Sequence, residues 1–186
     1  VHLGRHDNVL EFHIDKMKFT CPEFHSIKTF VSWTMPISLD DPLQHTNLAV
    51  GETANYNHST LYKINMNYMT LQSLKDDLIT VCVYILLDSG HPFKIGECQV
   101  SLGEILQHPR NTLHNVLHVR CSLDDADDHH TIPPFIMKNI NQESIGTLNY
   151  WFRLQRPTEE IIAKHLHRIG LLETGPIKEE NQIPFK

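Results

Sequence analysis

A two-residue periodicity of apolar side chains constrains the fold of this chain more than any other feature. It is clearest at Leu10, Phe12 and Ile14 near the start and at Leu148 and Tyr150 near the end. Successive side chains of a strand point to opposite faces, so such alternation predicts strands with one buried face. The change of phase between Ile14 and Met17 predicts a bulge or twist near Lys16.

The same pattern, divided by turn signals, predicts about eight short strands. They are expected near residues 10–19, 27–35, 47–50, 60–64, 78–87, 96–101, 117–123 and 147–154. The polar stretch 51–59 is predicted to be turn-like, and the apolar segment 78–87 to be a central strand covered on both faces. Residues 65–77 fit either a short helix or a long connection, and residues 102–106 fit one helical turn. This inventory predicts an antiparallel β-sandwich.

The pattern changes after Pro157. Thr158 followed by two glutamates is typical of a helix start, apolar residues then recur at helical spacing, and Gly170 is a plausible stop. The predicted organisation is therefore a sandwich over residues 8–157, a short C-terminal amphipathic helix over 158–170, and a disordered polar tail over 171–186.

Charge and cysteine spacing exclude several functions. A formal net charge of −6 argues against binding to nucleic acid or to strongly anionic membranes, although protonation of the 14 histidines in mild acid would offset much of it. The longest apolar run is too short to span a bilayer. The four cysteines form no CxxC pair, which favours reduced thiols in a cytoplasmic protein over a metal or redox site.

Motifs for catalysis and metal binding are weak. The sequence contains no nucleophile elbow, P-loop or HExxH, so we expect neither an enzyme nor a cofactor nor a small-molecule substrate. His114 and His118 lie in a predicted strand, where four residues span roughly 13 Å, too far apart to share a metal ion. The acidic loop 124–128 fits a solvated surface loop better than a divalent-cation site, and both interpretations stay open.

The segment Leu78–Leu106 resembles the core of a C2 domain, in which an apolar strand enters a calcium loop and an Ile-Gly pair begins the next strand. Ile95-Gly96 occupies that pair. Counting back from Gly96, the resemblance places the calcium-ligand positions at Ile85, Leu87 and Phe93, none of which offers the oxygen donors that calcium requires. Asp88 is one residue out of register. The second calcium loop would fall near residues 20–26, where Glu23 is the only carboxylate.

A closer resemblance covers residues 8–169. The segments Leu10–Phe19, Gly51–Asn65 and Ile145–Pro157 resemble the central C2 domain of the retinitis pigmentosa GTPase regulator-interacting protein family, which includes a transition-zone scaffold. The strand motif Gly146–Leu154 is the most specific of these pieces. The long 124–145 loop and the abundance of histidine suggest a divergent member. The resemblance implies an eight-stranded C2-type sandwich that acts as a calcium-independent protein-interaction module. It further implies a location at the cilium base or cytoskeleton and transition-zone partners such as nephrocystin-4.

The alternative is a peripheral, phospholipid-binding C2 domain. The strands expected to form its lipid-binding face carry only Lys63, and each basic residue near an anionic surface contributes only about 1 kcal/mol. A basic face in the structure would favour this alternative, whereas a neutral face with an apolar patch would favour protein docking. An enzyme would require a deep pocket with convergent titratable groups. The sequence does not assign the interacting face.

Overall fold

Eight antiparallel strands form one curled sheet with two four-stranded halves in the computed structural model, which describes residues 7–37, 43–107, 113–122, 144–155, 167–168 and 170. The strands are β1 (Asp7–Phe19), β2 (Thr29–Thr34), β3 (Leu43–His45), β4 (Thr53–Asn65), β5 (Leu78–Leu86), β6 (Pro92–Ser101), β7 (Leu113–Cys121) and β8 (Gly146–Leu154). Two helices, α1 (Tyr68–Asp76) and α2 (Gly103–Gln107), and a 3₁₀ turn (Pro22–Phe24) connect them. The strand order of the whole sheet is β3-β2-β5-β6-β7-β8-β1-β4. We call the half β7-β8-β1-β4 sheet A and the half β3-β2-β5-β6 sheet B. The predicted eight-stranded sandwich is confirmed.

On one side of the sandwich, β6 pairs with β7 and joins the two sheets. This closed side is short, with Gly96 opposite Cys121 and Glu97 opposite Arg120. A Cβ on Gly96 would lie 2.7 Å from the Arg120 carbonyl oxygen and 2.6 Å from the Ile145 side chain. Glycine is therefore needed there because only a bare Cα lets the two strands approach.

The core between the sheets is built around aromatic rings of β1, β2 and β8. The Phe12 ring stacks on Phe152 at 4.5 Å and meets Trp33 edge-on at 5.2 Å, so it links β1 to both sheets. At the start of β8, a Cβ on Gly146 would overlap the Lys18 carbonyl oxygen of β1. That close approach explains why glycine begins this strand.

The opposite side of the sandwich ends in β4 and β3, each at the end of its sheet among the described strands. Here hydrogen bonds, not strand pairing, connect the sheets. Trp33 Nε1 donates to the Tyr62 hydroxyl at 2.9 Å, and the hydroxyls of Thr29 and Tyr56 lie 2.6 Å apart. Burial raises the pKa of Tyr56 to about 12 against the opposing effect of its hydrogen bond with Thr29.

Several predictions from the sequence are confirmed. The β1 ladder is irregular between Ile14 and Lys16, residues 103–107 form a helical turn, and Leu148, Tyr150 and Phe152 face the core. Residues 65–77 resolve into α1, where Asn67 accepts a hydrogen bond from the Thr70 backbone and caps the helix. None of the four cysteines, all of them described, lies in a disulfide, and burial raises the pKa of Cys98 to about 12.

Three predictions are wrong. Of the predicted turn-like stretch 51–59, residues 53–59 are instead the first half of β4, whose polar residues face solvent while Ala54 and Tyr56 are buried. Residues 47–50 form only a single bridge, between Ala49 and Thr29, and the third strand lies earlier, at Leu43–His45. Strand β5 is not covered on both faces. Its burial alternates, because Thr80 and other outward residues remain partly or fully exposed.

The predicted helix at 158–170 lies outside the described residues except for His167, Arg168 and Gly170, and the 171–186 tail and the 124–128 loop lie outside them entirely. The Arg168 guanidinium is 5.8 Å from the centroid of the Tyr68 ring in α1. Among the helices that the structure describes, none is long and apolar enough to span a membrane.

Candidate functional site

The loop end of the sandwich contains the segments where the C2 resemblance places calcium. Leu86 N–H donates to the Lys28 carbonyl at 2.9 Å, which holds the β1–β2 connection beside the β5–β6 turn. The structure therefore brings together the two segments that the sequence assigns to calcium loops. Glu23 and Asp88, their carboxylates, are both exposed.

The assigned ligand positions themselves are hydrocarbon. Ile85 pairs with Phe93 across the β5–β6 ladder, and the two are 0% and 1% exposed. Leu87 packs against the same core. Between them the chain reverses in a tight turn, in which Gly90 N–H donates to Leu87 O at 2.8 Å and Asp88 points to solvent. Within the described part of the chain, no three His, Cys, Asp or Glu residues are grouped so that they would hold a metal ion.

A second cluster lies on the outer face of sheet A, which we call the outer-face cluster: Glu11, His13, Ser59, Trp151 and Arg153. It arises because β1 pairs with both β8 and β4, placing His13 opposite Trp151 on one side and Ser59 on the other. The His13 and Trp151 rings stack at 4.6 Å with 13° between their planes. His13 Nδ1 is 2.6 Å from Ser59 Oγ, and the Arg153 guanidinium lies 5.4 Å from the Trp151 centroid.

The charges of Glu11 and Arg153 help to hold the side chains of this cluster in one arrangement. Burial opposes ionisation of Glu11, but hydrogen bonds from Ser59 and Arg153 outweigh it and lower its pKa. Arg153 Nη2 lies 2.5 Å from Glu11 Oε1 in a charge-assisted bond. His13 is 8% exposed, and burial lowers its pKa despite the negative charges of Asp15 and Glu11. The cluster thus presents the Trp151 ring as an aromatic platform. Arg153, paired with Glu11, lies beside the ring, and these contacts hold the side chains in place.

An open groove of about 380 Å³ borders this platform. Its lining residues are Asp15, Asn115, Val116, Asn149, Tyr150 and Trp151. Val116 is 52% exposed, so the groove has an apolar wall beside polar amides. Tyr150, like any tyrosine, is neutral near neutral pH, and burial raises its pKa further, to about 12. Mixed apolar and amide surface of this kind suits a polypeptide better than a reacting substrate.

The outer face of sheet B is different in character. Phe30 stacks on Tyr84 at 5.1 Å, and the charged residues beside this pair neutralise each other, because Lys94 Nζ lies 3.0 Å from Glu97 Oε1. A hydrogen bond from Ser122, together with Lys94, lowers the pKa of Glu97. On β4, Lys63 lies 3.7 Å from an Asp7 oxygen. On these strands Lys63, Lys94 and Arg153 each lie within 4.0 Å of a carboxylate oxygen.

The two histidines considered from the sequence as metal ligands lie on one strand. His114 and His118 both belong to β7, as predicted, and of these only the His118 side chain is described. The outer-face cluster was not predicted. Its signals were present in the polar phase of β1 and in the Tyr-Trp-x-Arg part of β8, but neither reveals which strands are neighbours.

Comparison with known proteins places these observations in a family. The model of the first C2 domain of RPGR-interacting protein 1 matches residues 1–157. Among solved structures, CC2D1B matches with a TM-score of 0.60 and 16% identity over 87% of this chain and 60% of that one. A C2 domain of plant extended synaptotagmin 1 matches with a TM-score of 0.51 and 13% identity over 82% of this chain and 97% of that one.

A human cytosolic phospholipase A2 also matches, with a TM-score of 0.50 and 9% identity over 80% of this chain but only 17% of that one. This chain thus spans 60% of CC2D1B and a small part of the phospholipase. At these identities the solved structures establish the fold and nothing more.

Proposed function

The chain belongs to the family of the first C2 domain of RPGR-interacting protein 1, and from that premise we propose that it is a calcium-independent protein-interaction module of a ciliary scaffold. The match confirms the family indicated by the β8 motif. We place the proposed scaffold in the cytoplasm at the transition zone or basal body, with nephrocystin-4-like proteins as partners. The proposed role is docking, without catalysis.

The observation that carries the proposal is the pairing of Ile85 with Phe93. Both side chains are buried at positions that the C2 pattern assigns to calcium ligands. Calcium binds through six to eight oxygens, and a buried isoleucine facing a buried phenylalanine supplies none. Docking without calcium is therefore the use of this fold that the loop end supports best.

The outer-face cluster and its groove are the proposed docking surface. Interface hot spots are enriched in Trp, Tyr and Arg and are strongest where the side chain is held in its bound conformation before binding. Trp151 meets this description because His13 stacks on its ring and Arg153, anchored by Glu11, lies over it. The exposed Val116 adds apolar area beside it.

Isothermal titration of the chain with a nephrocystin-4-like protein, in calcium and in chelator, tests the proposal. We expect equal affinity in both buffers and a loss of about tenfold or more for Trp151→Ala. Tyr84→Ala is the matched control, since it removes an aromatic ring stacked on a neighbour in the other sheet. Binding that needs calcium, or that Tyr84→Ala weakens while Trp151→Ala does not, would contradict the proposal, as would no binding at all.

A peripheral membrane role is the second candidate, and one observation favours it. Leu48 and Val50, 45% and 51% exposed, flank Ala49 at the loop end, and Ala49 exchanges backbone hydrogen bonds with Thr29, next to the exposed Lys28. Co-sedimentation with phosphatidylserine–phosphatidylcholine vesicles distinguishes the two roles. We expect no pelleting with calcium or with chelator. Pelleting abolished by Leu48→Ser with Val50→Ser would establish the membrane role instead.

A further inference from the structure

Among the described strands, β4 has no neighbour on the side away from β1, and the hydrogen bonds show which of its backbone groups point to that edge. Gln155 N–H donates to Val9 O at 2.9 Å, so Val9 directs its backbone groups toward β8. In an antiparallel ladder this direction alternates along the strand, so Glu11 and His13 also face β8 while Leu10 and Phe12 face β4. The β4 residues opposite Val9, Glu11 and His13 therefore point their N–H and C=O groups away from β1. These residues are Lys63, Leu61 and Ser59.

Little in β4 protects this edge against pairing. Native proteins usually blunt an edge with proline, several charges or a bulge. Residues 53–65 contain no proline and no carboxylate, and Lys63 is their only formal charge near neutral pH. The irregularity at Asn57, with φ of +45°, lies before Ser59 and leaves the 59–63 segment regular. Leu61, 65% exposed, stands at the centre of that segment on the outer face.

The segment is complementary to itself. When two copies run antiparallel about a two-fold axis at Leu61, every outward N–H of residues 59, 61 and 63 meets an outward C=O of the other copy. Leu61 then packs against Leu61, and each Lys63 lies opposite Ser59, so no like charges face each other. Lys63 also keeps Asp7 of its own chain as a partner.

We infer that β4 is a self-association edge, through which two copies of this domain pair at Ser59–Lys63 and join their A sheets into one continuous sheet. A second copy fits this edge better than a strand that carries acidic residues. The reason is that Lys63, the only formal charge in the segment, already lies opposite the neutral Ser59 in the symmetric register. This pairing uses the backbone edge of β4, whereas partner docking centres on Trp151 of β8, two strands away on the outer face, so the two surfaces share only Ser59.

Sedimentation equilibrium over a wide range of loading concentrations tests the inference. We expect a monomer–dimer equilibrium that Leu61→Lys weakens by about tenfold or more, because it places two ammonium groups together and adds them to Lys63. Val116→Lys is the matched control, since it adds the same charge at an exposed apolar position of β7 and should leave the equilibrium unchanged. A parent chain that stays monomeric throughout would overturn the inference, as would equal weakening by both variants.

Disulfide trapping tests the register and does not depend on the folding of Leu61→Lys. Directly opposed residues of a hydrogen-bonded antiparallel pair have Cα atoms about 5.5 Å apart, within the range of a disulfide. Leu61→Cys should therefore form a covalent dimer on mild oxidation. Lys63→Cys should not cross-link to itself but should cross-link to Ser59→Cys when the two are mixed. The parent, with Cys82 and Cys121 half-buried, gives the background. Absence of a Leu61→Cys dimer would exclude this register.

Discussion

The two lateral sides of the sandwich differ in how the strands end: on one side the two halves of the sheet are joined by strand pairing, and on the other they are not. On the closed side, β6 and β7 meet through backbone pairing made possible by Gly96. On the open side, β4 and β3 end their sheets, and side-chain hydrogen bonds such as Trp33 to Tyr62 connect the layers. The closed side is therefore determined by steric fit, while on the open side the outward backbone groups of β4 meet no other strand within the described part of the chain. Stability should concentrate on the first side and association on the second.

Substitution of Gly96 by alanine should produce the largest effect. The new Cβ would meet the Arg120 carbonyl at 2.7 Å, a backbone atom that moves only if β7 moves. Overpacking of this kind costs about 1–3 kcal/mol, and we expect the upper end because two strands are involved. Urea denaturation measures the loss. The open-side control Leu61→Ala should change the free energy of unfolding by less than about 0.5 kcal/mol. Equal losses for the two variants would remove the distinction between the sides.

Removal of a hydroxyl on the open side should have a smaller effect. Tyr62→Phe leaves the buried Trp33 N–H without the acceptor that now lies 2.9 Å away. An unsatisfied buried donor costs about 1–3 kcal/mol, and partial relaxation at an open side favours the lower end of that range. Thermal unfolding should show a lower midpoint for Tyr62→Phe than for Leu61→Ala, the neighbouring residue that points outward. A midpoint equal to that of the parent would mean that this bond does not hold the sheets together.

The sequence predicted the parts of the fold that depend on local alternation. The irregularity beside Lys16 and the inward face of β8 were readable because apolar and polar residues there alternate cleanly. Strand β4 was missed in its first half because Asn55, Asn57 and Ser59 on its outer face resemble a turn. Strand β5 was misjudged for the opposite reason: its outward positions include Cys82 and Tyr84, so polar residues did not mark the exposed face.

The residues of the loop end could be located from the local sequence, whereas those of the outer-face cluster could not. Ile85 and Phe93 were found by counting from Gly96, a local measure along the chain. The contact of His13 with Trp151 depends on the register between strands at opposite ends of the sequence, which no local pattern contains. Likewise, the register between β1 and β4 directs the backbone groups of Leu61 to the open edge. Sites formed by long-range pairing therefore emerge only from the structure.

Lowering the pH should destabilise the protein slightly, through histidines of β1 and β4 in the half of the molecule next to the open side. Burial lowers the pKa of His58, as do the nearby His45 and His13, and burial lowers the pKa of His13 against the attraction of Asp15 and Glu11. A histidine with a native pKa below its unfolded value of about 6.5 binds fewer protons when folded. Its contribution to stability is complete above that value and is lost as pH falls through the native pKa.

The thermal midpoint should therefore fall as pH is lowered below about 6.5, and it should fall less in His13→Gln and His58→Gln. Measurements should stay above about pH 5, where Glu11 and Glu97, both with lowered pKa values, remain ionised and do not contribute to the slope. Val116→Gln, which introduces the same side chain at an exposed position of β7 without removing a titratable group, is the control and should retain the slope of the parent. If all three variants share one slope, the other histidines cause the acid sensitivity, and the open half is no more sensitive to protonation than the closed one.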